Sequence, residues 1–300
     1  MRHLSIIIKI LVAGYIFLSH DAHGQILKKG FLVACGEDKV ILIDPNKSNE
    51  EQTEIIWQWQ VTESEDIPQE YYKLLIPLDE CKPVMNNRKL LLTSSGGATI
   101  LLDIQTKKVE FYAKTSMAHS VDLLPGNRIA VANSTHKNGN SLEIYDLNRP
   151  EEVLWSDSLY SGHGVVWNKK QQLLYVLGYK LLKAYRLKDW NTSSPSLLLQ
   201  QSWSIPDEGG HDLYQINPTI FLISTHDNVY LFDSKTGQFR VFDYLAAKKD
   251  VKSANYNPKM NTLVYTIAEE SWWTHHIYMT NPDKKIRIPH IKLYKVRVAQ

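Results

Sequence analysis

Short apolar runs recur along this chain about every 40 to 60 residues, and that repeat limits the fold more than any other feature. The clearest series occupies residues 31–35, 90–93, 129–132, 173–176, 220–223 and 263–266. A second series follows it at 40–44, 99–103, 142–146 and 229–233, and a third at 55–57, 109–112 and 239–242. Asp44, Asp103, Asp146 and Asp233 close the runs of the second series, which suits turns in which an Asp side chain bonds its own backbone. Units of this size cannot bury a face alone and must stack. The pattern predicts an all-β chain: a β-propeller with four-stranded antiparallel blades, about six of them. A seventh blade follows only if residues 61–75 or 274–288 hide another unit. The first unit lacks an innermost strand, whereas residues 291–298 at the C-terminal end are strand-like. One chain end completing the other end's blade closes a ring and removes free sheet edges. Helical periodicity is nearly absent, with at most one turn over residues 244–249.

The N-terminus has a different character. Arg2 and His3 precede an apolar run over 4–18, interrupted by Lys9, and then comes Ala22-His23-Gly24. Small residues at minus three and minus one are what a signal peptidase accepts. Residues 1–24 therefore read as a signal peptide, and 25–300 as a single propeller domain, secreted or periplasmic after cleavage before Gln25. A rival is lipidation at Cys35, because Leu32-Val33-Ala34-Cys35 fits the lipoprotein pattern. Lys28, Lys29 and the first strand of the repeat oppose it. No later segment approaches the roughly 18 apolar residues of a membrane helix. A formal charge of +2, with only the short basic stretch Lys284, Lys285 and Arg287, excludes a nucleic-acid binder. Cys35 and Cys81 either pair or remain separate thiols. Nothing in the sequence calls for an oligomer, so a monomer is expected.

The chemistry concentrates in histidines. Three predicted innermost strands begin with one: His119, His163 and His211. Lys252 and, less clearly, Glu80 to Lys82 hold the equivalent place elsewhere. The starts of innermost strands meet at one mouth of a propeller's channel, so these side chains converge there. The loops after the first-series strands open on the same face and bring His136, His226, Trp272, Trp273, His275 and His276. Tryptophan rings beside convergent polar groups suit a sugar, whose C–H face stacks while its hydroxyls are bonded. Glu80 and Lys82 join these as substrate-binding candidates. Three neutral imidazoles from His119, His163 and His211 also suit a divalent metal ion with an open position, Glu80 or Glu269 being another source of a ligand. A structural alternative stands beside these readings, in which the histidines only satisfy backbone groups. Phosphate loops, nucleophile elbows, zincin motifs and paired CxxC motifs are all missing from the sequence.

The stretch Asp122-Leu123-Leu124-Pro125-Gly126-Asn127-Arg128-Ile129-Ala130-Val131 resembles the strand-turn-strand of bacterial secreted propellers with YVTN-like or quinoprotein-like blades. That resemblance speaks to fold more than to chemistry. The blade-borne histidines are similar in arrangement to those of oligogalacturonate lyases, propellers whose histidine cluster holds a divalent metal near a uronate carboxylate. The similarity implies β-elimination on an acidic, uronate-containing glycan. A cation would neutralise the carboxylate, a base (His163, His211 or Lys252) would take the adjacent proton, and Tyr179 or His276 would protonate the leaving oxygen. Hydrolysis would need facing carboxylates, and only Glu80 with Asp212 or Glu269 is available. The alternative function is a non-catalytic propeller that binds a glycan or a protein partner.

Overall fold

A computed structural model describes residues 26–300. The expected signal peptide and cleavage site fall outside the described residues. Six four-stranded sheets make up the chain, each antiparallel throughout. They are numbered here as blades 1 to 6 in chain order. Five blades run from the innermost strand outward along the chain. Their innermost strands are Leu78–Val84, Ala118–Leu124, Gly164–Asn168, Asp212–Gln215 and Val251–Asn257, in blades 2 to 6. Blade 1 takes Leu32–Gly36, Lys39–Ile43 and Ile55–Gln60 from the N-terminal side, and its innermost strand is Lys295–Val298. That strand pairs with Leu32–Gly36 and closes the ring as the sequence suggests. No seventh unit is present among the described residues. Residues 61–75 hold two short helices, Val61–Glu63 and Tyr71–Leu74, and 274–288 holds the outer strands of blade 6. The single turn near residue 244 is the 3-10 helix Asp243–Leu245.

Both faces of each blade pack against a neighbour, so the strands carry apolar side chains on both sides. Leu91, Phe111, Val121 and Val131 fill the space between blades 2 and 3, and Leu222, Val251, Ala254 and Leu263 that between blades 5 and 6. Each of the Val, Leu and Phe side chains among them contributes roughly 1.5–3 kcal/mol through burial. The Asp residues behave as the sequence predicts. Asp44, Asp103, Asp146 and Asp233 accept from the backbone N–H of Asn46, Thr106, Asn148 and Lys235 and hold the turns to the fourth strands. Cys35 and Cys81 are buried free thiols in the core between blades 1 and 2.

The innermost strands are stitched blade to blade by side chains. Ser120 Oγ accepts from Val165 N at 3.1 Å, and Asp122 Oδ2 accepts from Trp167 N at 2.8 Å. Asp212 Oδ2 accepts from Ala254 N at 3.2 Å, and Ser253 Oγ accepts from Val296 N at 3.0 Å. Gly164 permits one of the closest approaches. A Cβ there would stand 2.6 Å from Leu213 Cβ in the next blade.

Candidate functional site

Three innermost strands carry an irregularity at their start. The register slips between Leu78 and Glu80, between Ala118 and Ser120, and between Val251 and Ser253. The residues at the slips are Asp79, His119 and Lys252. A bulge re-aims a side chain that regular alternation would turn elsewhere, and these three meet at one mouth of the channel. His119 Nε2 lies 3.8 Å from Asp79 Oδ1. The His119 and His163 rings are 4.3 Å apart between centroids, and His163 and His211 5.7 Å. Lys252 Nζ donates to His211 Nε2 at 3.0 Å and to Asp250 Oδ1 at 3.2 Å. The convergence of His119, His163, His211 and Lys252 expected from register is therefore observed.

The imidazoles differ in what they leave free. His119 Nδ1–H donates to the Met117 carbonyl and His163 Nδ1–H to the Ser161 carbonyl, both at 2.9 Å. That contact fixes the tautomer and leaves the lone pair on Nε2. His119 and His211 are buried, whereas His163 is half-buried and the most exposed of the three. His211 is polarised the other way, with Nε2 accepting from Lys252 and a buried Nδ1 that has no partner among the described residues. Burial pushes all three imidazoles below their usual value, His163 and His211 well below it. The Lys252 charge deepens the effect at His211, and Asp79 opposes it at His119. Burial also lowers Lys252, with Asp250 acting against the shift. Burial raises Asp79, against His119 and a hydrogen bond from Ser95 N–H.

An aromatic rim surrounds this floor. Trp272 lies over Lys252, its ring centroid 4.7 Å from Nζ, within cation–π range. Trp273 packs on Tyr294, which in turn meets the edge of His119. His226 stands 4.8 Å from His211 and 6.0 Å from Tyr179. Gly209 makes room for it. The backbone there has φ +71°, and a Cβ would strike the His226 ring at 2.3 Å.

Other candidates stand apart. His136 is exposed and bonds only within its own loop, to Asn138 and Asn140. His275 Nδ1 pairs with the Ile288 carbonyl, and His276 Nδ1 with Glu269 at 2.8 Å, both in the outer half of blade 6. Hydrogen bonds from Tyr278, Thr274 and His276 overcome burial and hold Glu269 at about 2. Lys82 faces the opposite mouth, where it bonds the Val165 carbonyl at 2.7 Å and lies 3.5 Å from Asp122. Glu80 lies below the histidines, with both oxygens on Arg297.

The sequence reading named Glu80 and Asp212 of that lower layer but missed its cations, Lys295 and Arg297. Arg297 also bonds both oxygens of Asp212, at 2.9 and 2.7 Å. Lys295 Nζ sits between the layers, 3.6 Å from Glu80, 3.4 Å from Asp212 and donating to the His119 carbonyl at 3.0 Å. All four groups are buried, and together they plug the channel beneath the histidines. The sequence signal was Lys295 and Arg297 two apart, on one face of an otherwise apolar closing strand. Among the described residues no group of three or more His, Cys, Asp or Glu side chains is arranged to hold a metal ion. The Lys252 ammonium already occupies the His211 nitrogen that such a set would use. Nor is any helix among them long and apolar enough to cross a membrane.

Fold and mouth together define a six-bladed propeller with a histidine- and lysine-floored, tryptophan-rimmed site at one end of a plugged channel. The chain matches the model of a family of unknown function, DUF6528, over residues 15–299, and belongs to that family. No curated protein matches it.

Proposed function

We propose that the histidine mouth binds an acidic, uronate-containing glycan and cleaves it by β-elimination. One observation carries this reading. Lys252, braced by His211 and Asp250 under Trp272, stands beside a row of neutral imidazoles, of which half-buried His163 ties Nδ1 to the Ser161 carbonyl and carries its lone pair on Nε2. In this reading Lys252, fully buried beneath Trp272, acts on the uronate carboxylate through its charge and makes the neighbouring C5–H acidic. His163 Nε2 takes that proton, the electron pair forms the C4–C5 double bond, and the C4–O bond breaks. Tyr179, at the rim with its hydroxyl on Glu208 at 3.1 Å, returns a proton to the leaving oxygen. Trp272 and Trp273 give the sugar face a platform. His211 orients Lys252 rather than touching the sugar. The N-terminal 24 residues would direct export, where such glycans are met, and Gln25 would then be the mature N-terminus. The test is incubation of the purified mature protein with oligomers of galacturonate, guluronate and mannuronate, and with glucuronate-containing oligosaccharides. The readout is absorbance of the unsaturated product.

A second reading, binding without chemistry, is favoured by one feature. His119 and His163 each tie Nδ1 to the carbonyl two residues earlier, which also suits rings that merely finish a turn. Calorimetric binding of the same oligomers without unsaturated product would select it.

A further inference from the structure

The other end of the channel carries a site of different chemistry. Below the Glu80–Arg297–Asp212 plug lies a cavity of 240 Å³. It is smaller than the roughly 300–1,000 Å³ typical of drug-sized ligands and of a size for one small ring. Its walls include the half-buried aromatic rings of Trp167 and Tyr214 and the amide side chains of Asn87, Gln215 and Asn255. The charges that border it are spent internally. Lys82 faces Asp122 at 3.5 Å, and Arg297 is committed to Glu80 and Asp212. Hydrogen-bonding capacity remains. The half-buried Gln215 amide lines the cavity and makes no side-chain hydrogen bond among the described residues, whereas Asn255, 3% exposed, spends Nδ2 on the Val296 and Val264 carbonyls and keeps Oδ1 buried. Arg297 Nη1 donates to Asp212 Oδ2 and has a second N–H to give.

We propose that this opposite mouth is a second ligand site, for a neutral monosaccharide unit. Aromatic rings take the C–H face, amides take the hydroxyls, and the bordering side-chain charges are paired with one another. The site is independent of the histidine mouth, from which the buried ion cluster separates it. The experiment is saturation-transfer NMR on the mature protein with the methyl glycosides of glucose, galactose, mannose and N-acetylglucosamine, followed by titration of any that respond. At least one should bind with a Kd on the order of 1 mM. Gln215→Trp, which fills the cavity, and Tyr214→Ala, which removes a wall, should each weaken binding about tenfold, a loss of about 1.4 kcal/mol. Lys252→Met in the other mouth should leave binding unchanged. No transfer to any of the four glycosides overturns the proposal. So does undiminished binding in whichever wall variant keeps the wild-type melting temperature, or equal loss in Lys252→Met.

Discussion

A side chain at the histidine mouth and one between blades should answer differently to truncation. His163 contributes a hydrogen bond to its own turn and an imidazole contact, so His163→Ala should cost no more than about 1 kcal/mol. Leu222, 1% exposed between blades 5 and 6, should cost about 2–5 kcal/mol when cut to Ala. Thermal melts of the two variants separate these classes, and equal losses would make His163 a structural residue. Protonation gives a second residue-scale test. The three imidazoles are held below their usual value in the folded chain. Below about pH 6.5 the unfolded chain therefore takes up protons that the folded chain refuses, and stability must fall on acidification. Each histidine contributes at most about 1.4 kcal/mol per pH unit to that slope. Asp79, raised by burial, has the opposite sign: above the ordinary carboxylate value and up to its raised one, the folded chain keeps a proton that the unfolded chain has lost. Melts between pH 8 and 5 should show the decline, and His163→Gln should flatten it. Catalysis should follow a bell. Its acid limb is His163, titrating below 6.5, and its alkaline limb is loss of the Lys252 proton below 10.5.

At the scale of elements, the strand Lys295–Val298 does two jobs. It completes blade 1, and its Lys295 and Arg297 supply both cations of the channel plug, while Glu80 and Asp212 come from blades 2 and 5. Closure is thus both a backbone ladder and an ion cluster. Arg297→Met leaves two buried carboxylates sharing one lysine and should cost about 3–5 kcal/mol. Truncation after Tyr294 removes ladder and cations together, and should abolish cooperative unfolding in calorimetry. The blades themselves were legible because burial on both faces writes near-continuous apolar runs such as Leu90, Leu91 and Leu92. Outer strands such as Ser196–Ser204 and His276–Thr280 were not singled out. Exposure on one side dilutes their apolar pattern with polar residues. The bulges at Asp79, His119 and Lys252 were illegible for another reason. They depend on which partner residue each strand meets, and no local pattern records that. His119 and Lys252 were found through their positions at strand starts, and Asp79 went unnoticed.

For the whole molecule, the ring converts short, separate sequence signals into a single floor. His119, His163, His211 and Lys252 come from four consecutive blades and meet only because the blades are arranged around one axis. The same arrangement explains why His136, His275 and His276, though on loops of the same face, stay outside the cluster. Sequence places a residue on a loop but not its reach toward the axis: Trp272 and His275 share one connection, and Trp272 covers Lys252 while His275 turns to the Ile288 carbonyl. The proposed export is tested at the scale of the whole chain: N-terminal sequencing of exported protein should begin at Gln25, and a lipidated Cys35 would contradict it. The most direct measurement of the mouth's function is the rate of unsaturated-uronate formation by wild type, His163→Ala and Lys252→Met, each confirmed folded by its melt. The reading predicts product from at least one uronate oligomer with the wild type, and a loss of at least about a hundredfold in both variants. Variants as active as wild type, or a wild type that neither binds nor cleaves any of the oligomers, would contradict it.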